Sequence, residues 1–133
     1  GALDAITANR LSRSVSILLG NGDGTFDPPA TIDLDFTPTD VTLAKLNADA
    51  LPELVVTLSG PSQVLVFPGT GGGSFGVPSE AATGFSPQRV TAGDINADNI
   101  DDIIVANQST DDVSVFFGNG DANPPAKGGL SDR

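Results

Sequence analysis

The chain has 133 residues, with 17 Asp+Glu against 6 Lys+Arg and no His, so its formal net charge is −11 at pH 7. Six scattered cations on an acidic chain offer no track for a phosphate backbone, which argues against nucleic acid as a partner. With no Cys and no His there is no disulfide framework, thiolate metal site, cysteine nucleophile or imidazole base. The chemistry left belongs to carboxylates, amides and hydroxyls, hard oxygen donors that suit calcium better than zinc or copper. The length suits one domain with a core. No apolar stretch approaches the roughly 18 residues of a membrane span, and no basic-then-apolar leader is visible. Opening on Gly1-Ala2-Leu3 with no Met anywhere, the sequence reads as a processed or excised piece of something longer.

In chain order, the β-branched and aliphatic run at residues 15–19 predicts a strand. Gly20-Asn21-Gly22-Asp23-Gly24 ends it, and Asn-Gly favours the positive φ angles of tight hairpin turns. A further strand starts near Phe26. Another covers about residues 39–44, behind Pro38, where a missing N–H removes no ladder bond. A polar loop at residues 45–53 leads into a second β-branched run at 53–57, ELVVT. Strands at 64–67, near Phe75 and at 88–93 follow, separated by the Gly-rich turn 69–73 and by Pro87. An acidic loop at 94–102 precedes strands at 102–106 and 113–117 and the turn Gly118-Asn119-Gly120-Asp121. Residues 122–125 then look like a shortened copy of 23–29, and the polar tail 127–133 reads as frayed.

These elements recur. A slide of 49 residues places Val15, Gly20, Gly22, Gly24, Phe26 and Pro38 on Val64, Gly69, Gly71, Gly73, Phe75 and Pro87. A second slide places Asn47, Ala48, Asp49, Val64 and Phe67 on Asn96, Ala97, Asp98, Val113 and Phe116, with no gap in either match. The unit is a four-stranded antiparallel meander, and four-stranded units at this spacing predict blades of a β-propeller. The chain holds about 2.7 such blades. Residues 1–38 form an incomplete first blade lacking its innermost strand. Residues 39–84 form a complete blade. Residues 85–126 form a last blade whose outer strand is weakly signalled, and 127–133 the tail. Four recurring Phe, at 26, 36, 75 and 85, are expected to pack between blades.

The loop 94–102 carries chemistry. Side-chain oxygens fall at its positions 1, 3, 5 and 9, on Asp94, Asn96, Asp98 and Asp102, while Ile100 at position 7 offers its backbone carbonyl. Alternate oxygen donors along a tight loop can converge on one calcium ion. Asn99 stands where a sharp turn is needed and tolerates positive φ. Ile95 and Ile100 are expected to anchor the loop to the core. The bland alternative is a solvated acidic turn. One unit earlier the loop is degenerate: Asn47 and Asp49 keep their places, Lys45 stands at position 1 and Glu53 at position 9. Either the Lys45 ammonium substitutes for calcium beside Asp49 and Glu53, or it points to solvent. Of the loop before the first unit only Asp4, at position 9, is present.

The acidic loop followed by DIIVAN and VSVFFGNGD, with SVSILLGNGDGTFDPP earlier, resembles the FG-GAP/VCBS repeats of integrin-α-type β-propellers. The resemblance runs to about Asp121. It implies seven-bladed propellers, calcium held between strands, and roles in adhesion, carbohydrate binding or surface display. By that pattern Asp94, Asn96, Asp98 and Asp102 are side-chain calcium ligands and Ile100 a backbone ligand. Asn99 in place of the usual Gly, the Lys45 loop and the aberrant C-terminus depart from it.

The expected function is a non-catalytic, calcium-binding propeller module for extracellular or cell-surface adhesion or recognition. Its partners would be other copies of itself or the rest of a longer propeller, and a protein or glycan ligand. A ring or filament subunit is the second reading, because an incomplete ring exposes apolar faces and strand edges. A lectin is the third, against which the lack of Trp and Tyr counts. Asn107-Gln108-Ser109 is an N-glycosylation sequon. The pairs Asp111-Asp112 and Asp33/Asp35 read as solvated acids, with nothing to mark a glycosidase.

Overall fold

A computed structural model of the chain describes residues 2–120 and 127–128. The described residues contain strands and no helix, so none of them forms a helix able to cross a membrane. The first sheet comprises β1 (Ala5–Asn9), β2 (Ser14–Leu18) and β3 (Ala30–Asp33), in that order. The second runs β4 (Pro38–Ala44), β5 (Glu53–Leu58), β6 (Gln63–Phe67) and β9 (Ser79–Ala82), with a small hairpin of β7 (Gly69–Gly71) and β8 (Ser74–Phe75) inserted before its last strand. The third comprises β10 (Pro87–Gly93), β11 (Asp102–Asn107), β12 (Asp112–Phe116) and β13 (Lys127–Gly128). Every pairing within the sheets is antiparallel.

Two strand placements differ from the sequence expectation. The segments at Phe26 and Phe75 do not supply a full strand; they close a bridge from Gly20 to Phe26 and the β7–β8 hairpin. The strand that completes the sheet comes a few residues later, as β3 and β9, because the Gly-rich excursion must turn back first. In the third sheet the last strand lies at Lys127–Gly128, inside the segment read as tail. The shortened turn at 122–125 and the remainder of the tail lie outside the described residues.

The sheets stack face to face, and the middle one is covered on both sides. Leu54, Val56, Leu58 and Phe67 face the first sheet and cluster with Val15. Ala44, Leu46, Val55, Val64 and Val66 face the third and cluster with Val90, Ile103, Val105 and Phe116. Hence all six residues of β5 are buried, which is why Leu54, Val55 and Val56 run on without polar alternation, while the buried Glu53 and Thr57 are hydrogen-bonded. Burying each such aliphatic side chain stabilises the stack by about 1.5–3 kcal/mol. The recurring phenylalanines contribute less than expected. Phe26, Phe36 and Phe85 are 46%, 48% and 67% exposed, since they sit on connections beyond the sheets, and the core aromatics are Phe67 and Phe116.

Neighbouring innermost strands are joined by polar contacts. Thr39 Oγ1 donates to the Pro87 carbonyl (2.8 Å), and the Val90 N–H donates to Asp40 Oδ2 (3.0 Å). The hairpin turns from β1 to β2, β5 to β6 and β11 to β12 end on residues with positive φ at Arg13, Ser62 and Asp111 (51°, 56° and 53°). The backbone repeats there although the residue type does not.

The glycines at 20, 69 and 118 recur for a reason other than turn geometry: none has a positive φ. A Cβ on them would collide with the carbonyl oxygens of Leu3, Pro52 and Asp101 respectively. Each of these carbonyls belongs to the residue just before position 9 of a loop. Gly69→Ala is therefore expected to destabilise the fold by about 2 kcal/mol or more. Gly72→Ala, with φ 61° and nothing within 4 Å, should lose only about 1 kcal/mol. Denaturant unfolding of the two variants checks the order.

Candidate functional site

Loop 94–102 runs from the end of β10 to the start of β11, and its side chains fold onto its own backbone. Asp94 accepts the N–H of Asp98 on Oδ1 (3.1 Å) and that of Asn99 on Oδ2 (2.8 Å). Asn96 Oδ1 also accepts from the Asp98 N–H (3.1 Å), and its amide donates to Asp98 Oδ2 (3.0 Å). Asp98 Oδ1 accepts the Ile100 N–H (2.9 Å). Asp102 Oδ2 accepts the Ile95 N–H (2.9 Å), and its Oδ1 accepts that of Gly118 (2.8 Å), tying the loop to the exit of β12. These residues belong to one short loop, so the chain brings them together locally. Asp94, Asn96 and Asp98 are exposed, whereas Asp102 is fully buried.

The backbone shape follows from these bonds. Ala97 and Asn99 lie at φ 63° and 66°. For Asn99 the tolerance was legible from its type; for Ala97 it was not, and the Asp98 and Asn99 amides that Asp94 binds just after it hold it there. The Asp94 carboxyl sits below its ordinary value of 3.8, first because of the Asn99 N–H and then the other loop amides. Ile100 packs over Gly118, but Ile95 is 51% exposed and does not anchor the loop as expected. Its counterpart Leu46 is buried because the third sheet covers it, and the described residues place no sheet beyond Ile95.

The donor set is compatible with calcium. It is all oxygen, and the described partners of Asp94 and Asp98 are amides rather than Lys or Arg. Among the described residues no group of three or more acidic, His or Cys side chains is gathered ready for a metal. The loop's oxygens are engaged with its amides instead.

Loop 45–53 has the same skeleton. Asn47 Oδ1 accepts the Asp49 N–H (2.9 Å), and Asp49 Oδ1 accepts that of Leu51 (2.8 Å). Glu53, only 1% exposed, accepts the Leu46 N–H on Oε2 and the Asn47 amide on Oε1, both at 2.9 Å. The Lys45 side chain is exposed and forms no salt bridge with Asp49 or Glu53, so the ammonium does not replace an ion. Neutral donors already satisfy Glu53. Burial first, and then the nearby Asp49 charge, push its carboxyl above the ordinary 4.5.

Asp101 was not singled out from the sequence. Its Oδ2 accepts the Lys45 N–H (2.8 Å), and its own N–H donates to the Lys45 carbonyl (2.9 Å), joining the two loops. The repeat gave no signal for it, because its counterparts are Pro52 and Leu3.

Asn107 is not a surface glycosylation acceptor. It is 3% exposed, and its amide donates to Asp112 Oδ1 (2.8 Å) and Ser114 Oγ (2.9 Å) in the interface below β11. A tripeptide motif carries no information on burial, and here the strand turns the side chain inward.

Stacked antiparallel sheets that repeat every 49 residues, with loops alike in their hydrogen bonds, define a segment of a β-propeller. The family model for the FG-GAP-like repeat matches residues 45–105, from the Lys45 loop into β11. The chain thus carries an FG-GAP-like repeat, in line with the resemblance of its sequence. No curated protein and no solved structure matches the chain.

The two displaced carboxyls make opposite contributions with pH. Depression of Asp94 adds stability that is present above 3.8 and lost as pH falls through its folded value. Elevation of Glu53 favours the protonated fold, so its contribution falls as pH rises beyond 4.5. Between about pH 4 and about pH 7, wild type should lose stability relative to Glu53→Gln. Between about pH 2 and about pH 5 it should gain relative to Asp94→Asn. Denaturant melts across pH read both differences.

Proposed function

We propose that the chain is a non-catalytic propeller module, stabilised by calcium and acting outside the cytoplasm in adhesion or recognition. The observation that carries this reading is the loop 94–102, whose Asp94, Asn96, Asp98 and Asp102 oxygens all accept hydrogen bonds from amides of that same loop. A calcium ion there would be held by those four side chains and the Ile100 carbonyl. It would offset the mutual repulsion of three carboxylates in a chain of net charge −11. The scarcity of free calcium in the cytosol favours an extracellular setting.

A catalytic role finds little support. There is no His or Cys, and Glu53, a carboxyl raised by burial inside the fold, is engaged with a backbone N–H and an amide. FG-GAP repeat domains, which this chain matches in part, are in general non-catalytic.

A calcium titration followed by unfolding tests the reading. At one hundred times its dissociation constant, calcium should stabilise the fold by about 2.7 kcal/mol. Asp94→Ala together with Asp98→Ala should abolish that gain, while Asp49→Ala in the other loop should leave it intact. An unfolding curve that calcium and chelator leave unmoved refutes the calcium role.

A further inference from the structure

Asn107 ends β11 on the face that meets the second sheet, in step with Ile103 and Val105. It is 3% exposed, and both protons of its amide are used: Nδ2 donates to Asp112 Oδ1 (2.8 Å) and to Ser114 Oγ (2.9 Å). Its Oδ1 is buried too, and no described residue donates to it. Turning the amide round is no remedy, because Oδ1 would then face the Asp112 carboxylate. The backbone at Gly84 lies directly over the amide, where a Cβ would come 2.6 Å from Asn107 Nδ2 and 2.5 Å from Thr110 Oγ1. A buried carbonyl left without a donor lowers a folding equilibrium constant by about tenfold.

The repeat shows what this oxygen calls for. Two units earlier Asn9 is held in the same way. Its Nδ2 donates to Ser14 Oγ (3.2 Å) and Ser16 Oγ (2.8 Å), which take the places of Asp112 and Ser114. The Asn9 Oδ1, however, accepts the hydroxyl of Thr7 (3.0 Å). The residue that stands where Thr7 does is Val105, whose methyl groups donate nothing. In the middle unit the question does not arise, because Leu58 stands for the asparagine and Leu65 for the serine. The third unit alone keeps the acceptor and lacks the hydroxyl.

We propose that Asn107 is a binding site for one internal water molecule in the seam between the second and third sheets. The water donates to Asn107 Oδ1 and stands in for the threonine hydroxyl of the first unit. Burial beneath Gly84 limits the occupant to a single small donor. The same seam holds polar atoms for the water's remaining bonds. Pro87 is the strand partner of Asn107, and its carbonyl takes the Thr39 Oγ1 (2.8 Å), which lies 2.9 Å from Thr57 Oγ1. A carbonyl has two lone pairs, so Pro87 can accept a second proton. The site lies at the end of β11 away from Asp102, and it depends neither on calcium nor on a role in adhesion.

The test begins with a crystal structure of the full chain, which should show a water oxygen about 2.8 Å from Asn107 Oδ1. A well-ordered side chain with nothing there, or with a protein donor there instead, overturns the proposal. Val105→Thr then supplies the hydroxyl from within, as Thr7 does in the first unit. Val56→Thr is the control. Val56 is the middle-unit counterpart, as fully buried as Val105, paired with Val41 and Leu65 and clustered with Leu54 and Leu58. The control should lower the folding equilibrium constant by about tenfold or more, because its hydroxyl enters an apolar cluster. Val105→Thr should stay within about threefold of wild type, since its hydroxyl meets an acceptor. Magnetic relaxation dispersion of the water oxygen should find a long-lived internal water in wild type that Val105→Thr loses. Equal destabilisation by the two substitutions, or a dispersion that Val105→Thr leaves unchanged, refutes the proposal.

Discussion

A carboxylate at the first residue of the second strand holds each unit together. In the third unit Asp102 is fully buried, and its two oxygens take the N–H of Ile95 from the loop before it and the N–H of Gly118 from the hairpin after it. The loop before the strand, the strand itself and the hairpin after it are thereby pinned at one point. The pin accounts for Gly118 and Gly20, whereas Gly69 lies against the Pro52 carbonyl without bonding Glu53. For Gly118 to reach the carboxylate, its Cα must pass against the Asp101 carbonyl, leaving no room for a Cβ. Asp4 with Gly20 repeats the contact. Such a buried charge is tolerable only because it accepts hydrogen bonds from fixed backbone donors.

Packing builds outward from these pins. With the loop ends fixed, the apolar residues of each sheet fall into register with those of the next, and the middle sheet is buried on both faces. Glu53 shows how the pin bends. Its longer side chain exchanges the glycine N–H for the Asn47 amide while keeping the N–H of Leu46. The loop then closes on neutral partners, which leaves Lys45 free to face solvent and its backbone free for Asp101 of the adjoining unit.

Most of the fold was legible because the repeat is ungapped. The β-branched runs at 53–57 and 102–106, the Pro-led strands at 39–44 and 88–93, and the 49-residue spacing each fixed a strand without knowledge of the others. β9 was displaced because Gly69 to Gly73 spend their residues on a hairpin, and β3 because the excursion from Gly20 first closes a bridge to Phe26; both rest on backbone conformation. In the site, the polar alternation of Asp94, Asn96 and Asp98 was visible, and so was the turn at Asn99. What the sequence could not show was direction. Burial of Asn107, exposure of Ile95 and the bond from Lys45 to Asp101 all depend on which sheet lies opposite. That information is absent from any window of one unit.

The two complete loops share their Asx turns and pinned position 9, and they differ in charge. Loop 94–102 holds four carboxylates, counting Asp101, and no Lys or Arg; loop 45–53 holds Lys45 and two carboxylates. Because Asn47 and Asp49 already form the turns made by Asn96 and Asp98, a cation is not needed to shape this kind of loop. Its effect would be confined to charge: it would neutralise Asp94, Asp98 and Asp102 where no lysine does. Loop 45–53 carries less uncompensated charge and has an internal route to the same shape. On the proposed reading calcium would serve one loop, beside the Asp101 bonds that join the second and third sheets, and its contribution to stability would be felt at that junction rather than throughout the stack.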